Sequence, residues 1–132
     1  MEIFQAVPVL QVADVERTMR WYEEHLGFCG DPAPSQRPYR FAILRYGPPG
    51  PGSTEIMLRF AEDVVDKKPV RYRWDVYLRV RGGGFLELEE RFRQLGSLLR
   101  DAEVMPYGLE EFDVIDPDGH VVCVSHRRAM WG

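Results

Sequence analysis

The sequence predicts an α+β chain of two βαβββ modules that form a curved mixed sheet around a cavity, with the helices on the outer face. Three observations predict it. An alternating strand followed by an amphipathic helix occurs twice, in the first and again in the second half of the chain. Each helix is followed by three strand candidates. Turn-forming residues separate the last two candidates of each set.

The first strand is "VPVLQV", Val7 to Val12, which alternates in character and runs into Asp14, a good helix N-cap. Val15, Met19, Tyr22 and Leu26 then follow at i, i+4, i+7 and i+11, one stripe of an amphipathic helix, and Gly27 supplies its stop. "GFCG", "RFAILRYG" and "TEIMLRF" read as strands, with "GPPGPGS" as the turn before the last. Module one therefore covers about residues 1–61, and "AEDVVDKKP" opens a linker over 62–70. In module two, about 71–128, "VYLRV" is the alternating strand, and Leu88, Phe92, Leu95 and Leu99 repeat the helical stripe. "AEVM", "EEFDVID" and "HVVCVSH" complete it. Asp116, Pro117 and Gly119 suit the first, second and fourth positions of a type I turn before the last strand.

A chain of 132 residues with 45% hydrophobic content suits one domain that can bury a real core. No apolar run approaches the roughly 20 residues of a membrane span. The opening "MEIFQAVPVL" lacks a basic segment followed by an apolar stretch, so no secretory signal is expected and the cytoplasm is the expected location. There Cys29 and Cys123 are expected as reduced thiols. A net charge of −4 argues against nucleic acid, which asks for a basic face. Lys67, Lys68, Arg71 and Arg73 form the one local basic concentration, and beside Pro69 they read as a solvated loop.

His120, Cys123 and His126 stand at equal spacing in "DPDGHVVCVSH" and suggest a metal site. Strand geometry removes it. His120 and Cys123 would point to opposite faces, and His120 and His126, on one face, would lie about 20 Å apart at ~3.3 Å per residue. Zinc bonds of about 2.0–2.3 Å cannot span that.

Strand parity also sorts the two faces. Leu10, Val12, Ile56, Leu58, Phe60, Val76, Leu78, Val80, Val122 and Val124 should pack under the helices. The other parity is mixed: Val7, Val9 and Gln11; Glu55, Met57 and Arg59; Asp75, Tyr77 and Arg79; Val121, Cys123 and Ser125. Such a face suits either a concave ligand surface or plain solvation.

"AVPVLQVADVERTMRWYEEHLGF" and "PYGLEEFDVIDPDGHVVCVS" resemble the opening and closing signatures of the glyoxalase/bleomycin resistance/extradiol dioxygenase superfamily, the vicinal oxygen chelate proteins. The resemblance implies a βαβββ module used twice, commonly in a homodimer. It leaves the activity open among metal-dependent lyases, dioxygenases, epimerases and metal-free binding proteins. The enzymes hold a divalent metal with His, Gln or Glu from the first and last strand of each module. By register those positions are Val7, Met57, Asp75 and Cys123, a poor set for a hard cation. No cofactor is therefore expected; a divalent metal remains the alternative if the register is displaced toward Gln11, Glu55 and Arg59.

"AVPVL" and "PYG" look closest to the bleomycin resistance branch, whose members bind and sequester a drug in grooves at a dimer interface. The implied function is metal-free binding or sequestration of a small molecule in a dimer groove, with antibiotic resistance as one outlet. The alternative is a metal-dependent lyase or dioxygenase with displaced ligands. No catalytic residue is assigned. Tyr107 and Tyr77 are the foremost candidates to stack on a flat ligand, followed by Trp74, Tyr39 and Phe41. Met57 and Cys123 would line the space, Asp75 and Glu55 could meet a cationic ligand, and Arg59 and Arg79 an anionic one. Both signs are present, so the sequence does not choose. Cys123 has no activating partner in sight and reads as inert.

Overall fold

A computed structural model describes residues 1–50, 52–64 and 67–128. The chain divides into two compact units, Met1–Asp66 and Lys67–Gly132. Each holds one helix and a four-stranded mixed sheet, so the α+β class and the repeated module are both present.

In the first unit β1 (Val9–Val12) leads into α1 (Val15–Leu26), followed by β2 (Cys29–Ala33), β3 (Phe41–Tyr46) and β4 (Thr54–Phe60). The sheet order is β1-β4-β3-β2, with β1 parallel to β4 and the remaining pairs antiparallel. Asp14 caps α1 as expected, its carboxylate accepting from the Arg17 N–H at 3.0 Å. Gly27 ends the helix in the left-handed region at φ 76°, a conformation that costs glycine little. Val15, Thr18, Met19 and Tyr22 form the buried helical stripe, and Leu10, Val12, Ala42, Leu44, Ile56 and Leu58 are the buried strand residues. Leu26, expected in the stripe, is half-buried at the helix end.

The second unit repeats the plan with β5 (Val76–Val80), α2 (Phe85–Leu95), β6 (Leu98–Val104), β7 (Leu109–Ile115) and β8 (Val121–Arg127). Its order is β5-β8-β7-β6, again with the first and last strands parallel. Val76, Val122 and Val124 are buried on the parity expected to lie under the helix, while Phe60 in the first unit and Leu78 and Val80 here are half-buried.

The α2 stripe differs from the expected one. Phe85, Glu89 and Phe92 are its buried residues, whereas Leu95 is exposed and Leu99 lies in β6. Gly96, left-handed at φ 76°, stops the helix after Leu95, and the chain turns at once into β6. Strand β6 therefore begins four residues before the expected "AEVM". That displacement brings Arg100 onto the sheet.

The "DPDG" turn forms as expected: Gly119 N–H donates to the Asp116 carbonyl at 3.0 Å, and the Asp116 carboxylate accepts from the Asp118 and His120 N–H groups. Cys29 is exposed and Cys123 buried, and neither is in a disulfide. Among the described residues no helix is long and apolar enough to cross a membrane.

Candidate functional site

On the sheet of the second unit, the face of Tyr77 and Cys123 is laid out in cross-strand rows. One row runs Tyr77, Cys123, Asp113, Arg100, and the next runs Arg79, Ser125, Glu111, Glu103. A third places Arg127 opposite Leu109. Alternation along β7 supplies the logic: Leu109, Glu111 and Asp113 share this face, while Glu110, Phe112 and Val114 take the other. The β6–β7 ladder shifts register on both sides of Arg100, and bulges of this kind re-aim a side chain.

Arg100 is buried and holds the layer together. Its Nε donates to Asp113 Oδ2 at 3.0 Å, and its Nη2 donates to Asp113 Oδ1 at 2.9 Å and Glu111 Oε1 at 3.0 Å. The guanidinium also lies over the Tyr72 ring, 4.2 Å from its centroid. Burial works against its charge, yet the bonds from Asp113 and Glu111 outweigh it and hold its pKa above the usual arginine value. Glu111 and Asp113 are fully buried, which charged groups tolerate only when paired and hydrogen-bonded.

Those two carboxylates in turn fix the aromatic side chains above them. Tyr77 and Tyr107 hydroxyls both donate to Glu111 Oε2, at 2.7 and 2.8 Å. The Trp74 indole Nε1–H donates to Asp113 Oδ1 at 3.0 Å, and the Tyr72 N–H donates to Asp113 Oδ2 at 2.9 Å. The Trp74 and Tyr77 rings lie 4.9 Å apart, tilted by 55°. Burial first, and then the bond and charge of Glu111, push the Tyr107 phenol above the ordinary tyrosine range. For Tyr77 burial again leads, and a downward pull from Ser125 comes next, ahead of the upward bond and charge of Glu111, with the balance still above the ordinary value.

An open groove of about 630 Å³ lies on this face, lined by Trp74, Tyr77, Arg79, Tyr107, Leu109 and Arg127. The structure thus gathers three expected site residues, Tyr77, Arg79 and Tyr107, with Trp74 from the second tier. Cys123 lies beneath as a fully buried thiol, its Sγ 3.8 Å from Arg100 Nη2. Burial first, and then Glu111 and Asp113, raise its pKa far above the free value, so it stays protonated and is no nucleophile.

Asp75 does not line the groove. Its carboxylate accepts from Lys67 Nζ at 2.6 Å and from the Val121 N–H at 2.9 Å, which ties the start of β5 to β8. Lys67, expected as a solvated loop residue, thereby has an ion-pair partner. Glu55, Met57 and Arg59 lie on β4 of the first unit and are not among the lining residues. Glu55 there pairs with Arg45 at 3.5 Å and accepts from Gln5 Nε2 at 3.4 Å. Tyr39 sits under the Arg37 guanidinium, and Phe41 opposes Arg59 across the β3–β4 ladder. Sequence reasoning passed over Arg100, Glu111, Asp113, Leu109 and Arg127.

The strand registers show which residues stand near the positions where the resemblance would place a metal. Val9 pairs with Met57 and Tyr77 with Cys123, and Val7 and Asp75 stand two residues before those pairs on their strands' N-terminal side. Val7 and Met57 offer no hard donor, and Asp75, already bonded to Lys67 and the Val121 N–H, stands with a buried thiol, so the set does not fit a hard divalent cation. Among the described residues no three His, Cys, Asp or Glu side chains gather as a cluster able to hold a metal ion. His126 instead stacks on Phe85 of α2, ring centroids 3.7 Å apart, and bonds Glu110 at 2.8 Å. His120 is buried with its Nδ1 3.8 Å from Asp75.

No protein-family model matches the sequence, and neither does any curated relative. Solved structures do match. A glyoxalase-related enzyme from Clostridium phytofermentans superposes with a TM-score of 0.73 over 96% of this chain and 97% of its own, at 17% identity. A glyoxylase/bleomycin resistance protein/dioxygenase domain from Frankia sp. EAN1pec gives 0.70 over 99% and 96%, at 20% identity. The chain has the glyoxalase/bleomycin resistance/dioxygenase fold. A lactoylglutathione lyase from Agrobacterium tumefaciens shares that fold at a TM-score of 0.65 and 15% identity, covering 96% of this chain and 94% of its own. At these identities the likeness is one of fold, and function has to be argued from the site.

Proposed function

We propose that this protein is a metal-free small-molecule binder of the bleomycin resistance type, and that it takes its ligand in the groove of the second unit. The observation that carries the reading is the aromatic lining of Trp74, Tyr77 and Tyr107, whose polar ends are all anchored on the buried Glu111 and Asp113. Anchored rings lose little freedom when a ligand arrives, and preorganisation of this kind favours binding. The groove volume falls within the range of about 300–1,000 Å³ typical of small-molecule sites. The reading includes a homodimer, on the resemblance alone.

Titration with 2-naphthamide, a flat neutral aromatic, tests the groove directly by two-dimensional amide NMR. The Trp74 indole N–H and the Leu109 amide are expected to move, and Tyr107→Ala is expected to weaken binding by about 0.5–1.5 kcal/mol, the contribution of one aromatic pair. Shifts confined to residues elsewhere would overturn the assignment.

A lyase or dioxygenase of this fold would instead need a metal. Protein purified without chelator is expected to carry no stoichiometric manganese, iron, nickel or zinc by elemental analysis. One tightly held metal per chain would overturn the metal-free reading.

A further inference from the structure

The charges around the groove are sorted in a way that bears on its ligand. Its lining contains two arginines and no acidic side chain. The acidic groups beneath are fully engaged. Glu111 Oε2 accepts from two phenols and its Oε1 from Arg100; Asp113 Oδ1 accepts from Trp74 and Arg100, and its Oδ2 from the Tyr72 N–H and Arg100. Both residues are fully buried, so neither presents an oxygen to a cation in the groove. Glu103, in the same row as Glu111, accepts from the Tyr72 hydroxyl, and Glu110 bonds His126 on the opposite face.

Arg79 and Arg127 differ from Arg93 and Arg100. Arg93 pairs with Glu89, Glu90 and Asp101, and Arg100 with Glu111 and Asp113. For Arg79 and Arg127 no carboxylate lies within ion-pair distance among the described residues. Their backbones are diagonal neighbours: Arg79 on β5 pairs with Ser125 of β8, and Arg127 lies two residues further along β8 on the same face. With strands about 4.8 Å apart and two residues spanning about 6.6 Å, their Cα atoms lie about 8 Å from each other. Long arginine side chains from such positions can meet on one oxyanion, and the planar guanidinium suits carboxylate, sulfonate and phosphate alike. The buried trio of Arg100, Glu111 and Asp113 carries one net negative charge, Glu103, 3.8 Å from Arg100, adds a second, and the two groove arginines carry two positive ones. The positive charge therefore lies on the lining, and the negative charge is held beneath and beside it in bonds of its own.

We infer that the groove recognises an aromatic anion: a flat ring held by Trp74, Tyr77 and Tyr107, with its oxyanion held by Arg79 and Arg127. This inference rests on the reading of the groove as the binding site, and it chooses between the cationic and anionic ligands that the sequence left open.

Three ligands with one ring system and different charge test it by isothermal titration calorimetry: 2-naphthoate, 2-naphthamide and 2-naphthylmethylammonium. The naphthoate is expected to bind about tenfold more tightly than the amide, the size of effect that charge-assisted bonds at a half-open site give, and the ammonium more weakly than either. The double variant Arg79→Gln/Arg127→Gln is expected to bring the naphthoate-to-naphthamide ratio to about one. If the amide and the ammonium bind as tightly as the naphthoate, the groove stands and the anion inference falls. Survival of the preference in the double variant would likewise overturn the assignment to these arginines. If none of the three moves the Trp74 indole signal, the groove reading itself fails and takes the inference with it.

Discussion

Arg100→Met is expected to lower the unfolding free energy by about 3–5 kcal/mol, the usual cost of breaking a buried ion pair from one side. Methionine fills much of the same volume, so the loss would not come from a cavity. It would come from Glu111 and Asp113, fully buried and left without the guanidinium that bridges them at 2.9–3.0 Å. The Tyr72 ring would also lose the cation 4.2 Å from its centroid. Arg100→Lys keeps the charge but not the fork, and one ammonium cannot reproduce the two-point contact with Asp113 while also reaching Glu111. Its cost is expected to fall between wild type and methionine. Urea unfolding followed by circular dichroism measures all three. A loss below about 1 kcal/mol for Arg100→Met would mean that the carboxylates find other partners, and the account of the site floor would be wrong.

The position of Arg100 also shows where reading the sequence stops. Strands, caps and turns were legible because each is set by neighbours in sequence: Asp14 caps its own helix, and Asp116 closes its own turn. Tyr77 and Arg79 could be placed on the groove face by alternation alone. Arg100 could not. Leu95 and Leu99 continue the helical spacing of Leu88 and Phe92, so "SLLRD" reads as helix, and only the left-handed Gly96 ends it sooner. Beyond that point two register shifts in β6 break the period-two count. Glu111 and Asp113 do alternate with Phe112 and Val114, but two acidic residues on one face read as solvated until a buried cation is known to lie across from them. The register of parallel strands is likewise invisible locally, so the pairing of Val9 with Met57 and of Tyr77 with Cys123 comes from the structure alone.

Glu111→Gln is the second large effect expected, and it separates the anchoring of the tyrosines from the bare stability of the sheet. The amide keeps the shape of the carboxylate but offers one oxygen where the wild type offers two. With that oxygen turned to Arg100, its NH₂ faces Tyr77 and Tyr107, and both hydroxyls lose the acceptor they share at 2.7 and 2.8 Å. Hydrogen bonds to a charged group contribute about 1.5–3 kcal/mol, so a loss of about 2 kcal/mol in unfolding free energy is expected. The alkaline limb of stability supplies an independent readout. In the wild type the folded chain keeps two phenolic protons that the unfolded chain releases above about pH 10. Stability is therefore full below that pH and declines as pH rises toward the folded values. Burial alone still raises the phenols in the variant, but the share due to Glu111 is gone, so its decline above pH 10 should be shallower. Tyrosine absorbance at 295 nm, titrated in both proteins, should show fewer late-titrating phenols or earlier midpoints in the variant. If the two titrations coincide, Glu111 does not hold these tyrosines. The aromatic wall of the groove would then have to be fixed by packing alone.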